Sequence, residues 1–158
     1  MGDLRLTVAL LPDFVVDICM RNQGDGAVRV AGLNLHNLSV WHAGSGIVPK
    51  PAIHFFGGVP NSGDIFTLGP GESKMFQESL LRHLIFPSAG RYTLRVFYSA
   101  RHYQERFKAN AIDALRRLSE LDAIDAVSNE VDFELSPADW KHNVQMARGE
   151  ARRFLGDC

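Results

Sequence analysis

The chain has 158 residues, 46% of them hydrophobic and 22% charged, which is material for one core and excludes a disordered tail. Seventeen basic and 18 acidic residues leave a net charge of −1. That balance supplies no basic field for nucleic acid or an anionic membrane.

Leu4, Leu6, Val8 and Leu10 alternate with polar or small residues and predict a half-buried strand that Pro12-Asp13 turns. Phe14, Val16, Ile18 and Met20 share one face of a second strand, which ends in the turn residues Asn22 to Gly26. Short strands follow at Val28 to Val30 and near Leu38 to His42. Residues 43–64, with five glycines and three prolines, read as a long irregular connection with one short strand around Ile53 to Phe56. Leu68-Gly69-Pro70-Gly71-Glu72-Ser73 is a turn feeding a strand from Lys74 to Ser79. Phe86 to Gly90 turns the chain again, and Tyr92, Leu94, Val96 and Tyr98 form one face of the cleanest strand. Tyr103, Phe107, Ala111, Ala114, Leu118 and Leu121 recur at helical steps and predict a helical insertion over about 102–126. Asn129, Val131, Phe133 and Leu135 alternate as a last strand from Ser128. Ser136-Pro137-Ala138-Asp139 then caps a second helix whose stripe is Trp140, Val144, Ala147, Ala151 and Phe154. The organisation expected is one domain over 1–136 and a C-terminal helix over 137–158.

Seven or so short strands separated by turn signals indicate a mainly β, antiparallel β-sandwich. The strand ending Arg21-Asn22-Gln23-Gly24-Asp25, the turn Gly69-Pro70-Gly71-Glu72, Gly90-Arg91-Tyr92 and Ser128-Asn129-Glu130-Val131-Asp132-Phe133 together resemble bacterial immunoglobulin-like domains of the fibronectin type III kind. The likeness runs over about residues 4–135 and implies an immunoglobulin-like sandwich in which Tyr92 bonds back across a corner. Cys19 has no cysteine partner on residues 91–99, so the inter-sheet disulfide of antibody domains is missing. The Pro-Gly-Glu turn is also similar to that of the bacterial intracellular proteinase inhibitors. Residues 136–158 resemble the junction between such a sandwich and following helical repeats, which implies the N-terminal module of a longer protein.

The chemistry-bearing residues are scattered. His36, His42, His54, His83, His102 and His142 form no His-x-His or His-x-x-x-His pair; a metal would need His36, His42 and His54 to converge. Ser45 in Gly44-Ser45-Gly46 lacks the nucleophile-elbow pattern. Cys19 and Cys158 make no disulfide framework, and Cys19 reads as a structural thiol. Asn37-Leu38-Ser39 fits a glycosylation sequon at the start of a strand. Arg91, Arg95, Arg101, Arg106, Lys108, Arg116 and Arg117 are interleaved with acids on a mixed-charge surface. The loop aromatics His54, Phe55 and Phe56 and the helix residues Trp140 and Phe154 are the candidate binding residues. No stretch of about 18 apolar residues exists, and the N-terminus lacks a secretory signal pattern. The expected compartment is cytoplasmic, or extracytoplasmic if the chain is a piece of a longer protein.

These readings converge on a recognition or structural module without catalysis, cofactor or metal. Its partner is a protein or a neighbouring domain of the same polypeptide, not nucleic acid or membrane. Proteinase inhibition through a sandwich loop is the alternative, and an enzyme of unknown type the third.

Overall fold

The structure is a computed structural model describing residues 3–33, 37–51, 65–101 and 120–155. Apolar and polar residues alternate along β1 (Leu4–Leu11) and β2 (Val15–Asn22), which pair antiparallel from Leu4 opposite Asn22 to Leu11 opposite Val15. A single 3-10 turn, Pro12–Phe14, joins them, with Asp13 at φ 62° and Phe14 at φ 57°. Aspartate tolerates that left-handed region; for phenylalanine it costs about 1–2 kcal/mol. Packing of the Phe14 ring against Phe133, 5.9 Å between centroids, holds it there.

β2 also pairs with β7 (Ser73–Ser79), completing a three-stranded sheet. The second sheet is built on β9 (Gly90–Ser99), flanked on one side by β4 (Leu38–His42) and on the other by β10 (Asp125–Val127) and β11 (Val131–Leu135). Two short antiparallel ladders complete the set: β3 (Val28–Ala31) with β6 (Ile65–Leu68), and β5 (Lys50–Pro51) with β8 (Leu84–Ile85). Helix α1 spans Leu80–His83, and α2 spans Pro137–Leu155. Leu6, Val8, Val16, Ile18 and Met20 from the first sheet share one buried cluster with Val40, Tyr92, Leu94, Val96, Tyr98 and Phe133 from the second. The two inner faces therefore pack on each other, as a β-sandwich requires.

Two sequence expectations are corrected here. The last strand is not continuous from Ser128: Val127 stands opposite Phe97 and Val131 opposite Leu94, so three residues on one strand face two on the other. That is a β-bulge. Ser128 and Asn129 fill it with side-chain bonds beside the backbone bond from Ser128 N to Val96 O. Val96 N donates to Ser128 Oγ at 2.8 Å. Val8 N donates to Asn129 Oδ1 at 2.9 Å, and Asn129 Nδ2 donates to Val8 O at 3.0 Å. The Asn129 amide thus stands in for a strand partner and ties the edge of the first sheet to the second. The C-terminal bound expected for the helical insertion, about 126, is also corrected, because Asp125–Val127 is strand. Its residues 102–119, and the strand expected at Ile53 to Phe56, lie outside the described residues.

Asn22 marks the corner where the β2–β7 ladder gives way to β3–β6. It is fully buried, and its Nδ2 donates to Gly26 O at 2.7 Å and Leu68 O at 3.0 Å. Tyr92 Oη donates to Ser88 O at 2.7 Å, the corner bond expected from the sequence.

Asn129→Ala leaves the Val8 N–H and C=O without partners, and denaturant unfolding is expected to show a loss of about 2 kcal/mol. An unchanged midpoint would mean that Asn129 does not join the sheets.

Candidate functional site: the exposed apolar end

One end of the sandwich gathers the Pro12–Phe14 turn, the C-terminus of β4, the start of β9, α1 with β8, and the first turns of α2. Its foundation is an aromatic cluster. Tyr92 lies edge-on to Phe86 at 4.9 Å and to His42 at 5.2 Å, and stacks on Phe133 at 5.8 Å.

α2 starts where the sequence says it should. Asp139 N donates to Ser136 Oγ at 3.0 Å, and Asp139 Oδ2 accepts from Ser136 N and Oγ at 3.1 and 2.7 Å. This reciprocal cap satisfies donors that the first helical turn leaves open. The helix then docks through a residue the stripe did not include. Asn143 is fully buried. Its Oδ1 accepts from Phe86 N at 3.0 Å, and its Nδ2 donates to Leu81 O at 2.8 Å and Leu84 O at 2.7 Å. Three bonds from one amide fix both the rotation and the height of α2 against α1 and β8. The available signal was Asn143's spacing, three residues after Trp140 and four before Ala147, which places an amide on the apolar face.

Trp140, the first residue of the stripe, docks beside β8 and stays partly in solvent. Its Nε1 donates to Phe86 O at 2.9 Å, yet 37% of the residue is exposed. Ile85, beside Phe86, is 40% exposed. Lys50 stands opposite Ile85 in the β5–β8 ladder, and just before it lie Ile47 and Val48, 54% and 62% exposed. Leu11, beside the β1–β2 turn, is also exposed.

The loop carrying Ile47 and Val48 is pinned at its base by His42. His42 Nδ1 accepts from Gly44 N at 3.2 Å, Ser45 N at 3.1 Å and Ser45 Oγ at 3.0 Å. With Nδ1 accepting, the ring proton sits on Nε2. On that side Gly90, at φ 140°, makes room: a Cβ there would lie 2.7 Å from His42 Nε2. The structure therefore brings Ser45 and His42 together, but both serve the turn.

Of the other sequence candidates, His36, His54, Phe55 and Phe56 lie outside the described residues. Pro51, the residue before the segment with the loop aromatics, pairs with Leu84 at this same end. Phe154 falls in the last turns of α2, and its side chain lies outside what the structure describes. Among the described residues no group of three His, Cys, Asp or Glu side chains is placed to hold a metal ion. Asn37 is buried, and its Nδ2 donates to Phe97 O at 3.0 Å, so the sequon amide is not offered for glycosylation in the folded domain. Cys19 is a free, half-buried thiol on β2. Among the described residues no helix is long and apolar enough to cross a membrane.

No protein-family model matches the chain, and no curated protein matches it.

Asn143→Leu keeps the volume but strands the Phe86 N–H and the Leu81 and Leu84 carbonyls. Denaturant unfolding is expected to show a loss of about 3 kcal/mol, with faster proteolysis within α2. Gly90→Ala both clashes with His42 and forces a strained φ, at a cost of about 2 kcal/mol. A neutral result for Gly90→Ala in thermal unfolding would remove His42 from its place against β9.

Proposed function

We propose that this chain is an immunoglobulin-like sandwich acting as a non-catalytic recognition or structural module. Its exposed apolar end engages a protein partner or a neighbouring domain of the same polypeptide. The observation that carries this reading is Trp140. Its one polar group is already bonded to Phe86 O, while 37% of the residue stays exposed. An aromatic fixed in orientation before binding loses little side-chain entropy when covered, which is what a recognition anchor needs.

Support for the immunoglobulin-like part comes from strand order. β1-β2-β7 and β4-β9-β11 match the A-B-E and C-F-G arrangements of that fold, and the Tyr92–Ser88 bond matches its tyrosine corner. Support for a non-catalytic role comes from polar groups already in use at this end: His42 and Ser45 on their turn, Asn143 on α1 and β8, Asp139 on Ser136, and Glu78 with His83. A site for acid–base or nucleophilic work needs such groups turned toward a substrate.

One observation favours proteinase inhibition as a second reading. Ile47 and Val48 stand out on a loop whose base His42 holds rigid, and a rigid exposed loop is what a proteinase cleft accepts. Titration against a panel of serine and cysteine proteinases separates the two readings: inhibition lost on Ile47→Asp and kept on Trp140→Ala belongs to the loop.

A photo-crosslinking residue in place of Ile85, compared with one in place of Val127 far along β10, tests the main reading in cells. We expect discrete adducts from position 85, none of them from 127, and their loss in Trp140→Ala. Equal adducts from both positions, or none from 85, overturn it.

A further inference from the structure

We infer that His42 is a proton-operated latch on the 43–48 loop: the neutral ring closes the turn that presents Ile47 and Val48, and a proton on Nδ1 releases it. This concerns the loop alone and stands apart from which partner the exposed end takes.

The turn is built around one ring nitrogen. His42 Nδ1 accepts from Gly44 N at 3.2 Å, Ser45 N at 3.1 Å and Ser45 Oγ at 3.0 Å. Ser45 Oγ in turn accepts from Ile47 N at 3.3 Å. The His42 backbone closes the same loop: its N–H donates to Ile47 O at 2.9 Å, and its carbonyl accepts from Gly46 N at 2.8 Å. The ring is therefore coupled to every residue from Gly44 to Ile47.

Two backbone N–H groups converging on Nδ1 require its lone pair, which leaves the one ring proton on Nε2. A second proton can go only to Nδ1. The imidazolium donates at both nitrogens and accepts at neither. The Ser45 hydroxyl can turn from donor to acceptor, but the Gly44 and Ser45 N–H groups cannot, so N–H would face N–H. The closed turn holds the neutral ring and loses its hold as pH falls through the range in which histidine gains charge. The loop moves rather than the ring. Tyr92 lies edge-on to the ring at 5.2 Å, and Nε2 lies so close over Gly90 that a Cβ there would be 2.7 Å away.

Neighbouring charges do not answer the added proton. The loop, Ala43 to Val48, carries no titratable side chain. On β9, the strand paired with β4, the titratable groups are Arg91, Tyr92 and Arg95. Tyr92 Oη is committed to Ser88 O. Arg91 and Arg95 alternate with Tyr92 and belong to the other face of the sheet from His42, where Arg95 lies over the Trp41 ring at 5.5 Å and Arg91 stands opposite Glu134. Glu78 is bonded to His83, and Asp139 to Ser136. Among the described residues no carboxylate is bonded to the His42 ring. A partner seated on Ile47 and Val48 would thus meet a loop held in one arrangement at neutral pH and a loosened one in acid.

The test is nitrogen and amide NMR of the full chain. Exchange of each amide is taken relative to the same amide in the unfolded chain, which removes the pH dependence of exchange itself. We expect the ring nitrogens to report the proton on Nε2 at about pH 8, and Gly44 and Ser45 to lose about tenfold of their protection by about pH 5, with Leu94 unchanged. His42→Asn supplies an acceptor oxygen that does not titrate in this range, and should leave Gly44 and Ser45 protected at both pH values. A proton found on Nδ1 at the upper pH overturns the latch. So does a ring that stays neutral at the lower pH, or one that gains its proton while Gly44 and Ser45 stay protected. An equal loss of protection in His42→Asn assigns the response to another group and overturns it as well. The measurements on the unaltered chain decide the matter even if asparagine is not tolerated beside Tyr92.

Discussion

Tyr92 is the residue on which both the core and the exposed end depend. It sits at the start of β9, the strand that pairs with β4, β10 and β11. Its ring is fully buried among Phe86, Phe133 and His42. Its hydroxyl holds the Ser88 carbonyl, which fixes the turn between β8 and β9. Phe86, positioned by that turn, offers its N–H to Asn143 and its carbonyl to Trp140. A chain of contacts therefore runs from the centre of the sandwich to the helix and then to the exposed indole. Buried hydrogen bonds of this kind add specificity of arrangement beyond what apolar packing supplies.

Among the described residues β7 is an edge of the first sheet. Lys74, Phe76 and Glu78 stand opposite Met20, Ile18 and Val16, so they share the inward face of β7. Lys74 lies 4.0 Å over the Phe66 ring, and Glu78 is held by His83. Inward-pointing charges on an edge strand oppose the addition of another strand. Association by sheet extension at β7 is disfavoured, and the apolar end beside α2 carries the recognition proposal by contrast. The left-handed Phe14 on the same end illustrates a related economy: a backbone cost at the turn is offset by an edge-on contact with Phe133.

Much of this was legible in the residues. Strict alternation over Leu4 to Leu10 and over Arg91 to Tyr98 marks strands because each places one face on a core, and Ser136-Pro137-Ala138-Asp139 announces a helix start through its own side-chain chemistry. The bulge at Ser128 to Glu130 was not legible, since alternation continues through it and only the partner strand reveals the extra residue. β5 and β8 are two residues each, too short for any period to show. Asn143 was not legible for one reason: hydropathy ranks an amide below its apolar neighbours, whereas the α1–β8 corner presents two carbonyls and an N–H that only an amide satisfies together. The loop aromatics singled out from the sequence lie outside the described residues, but Pro51 leads into them from the same end.

The Phe86–Asn143 junction holds the exposed end in place in the free chain. Amide hydrogen exchange at Phe86 measures this directly. Slow exchange is expected at Phe86 in the unaltered chain, close to that of Leu94 in the core, and exchange at Phe86 and along α2 that quickens more than at Leu94 in Asn143→Leu. Fast exchange at Phe86 in the unaltered chain, with Leu94 protected, would contradict it.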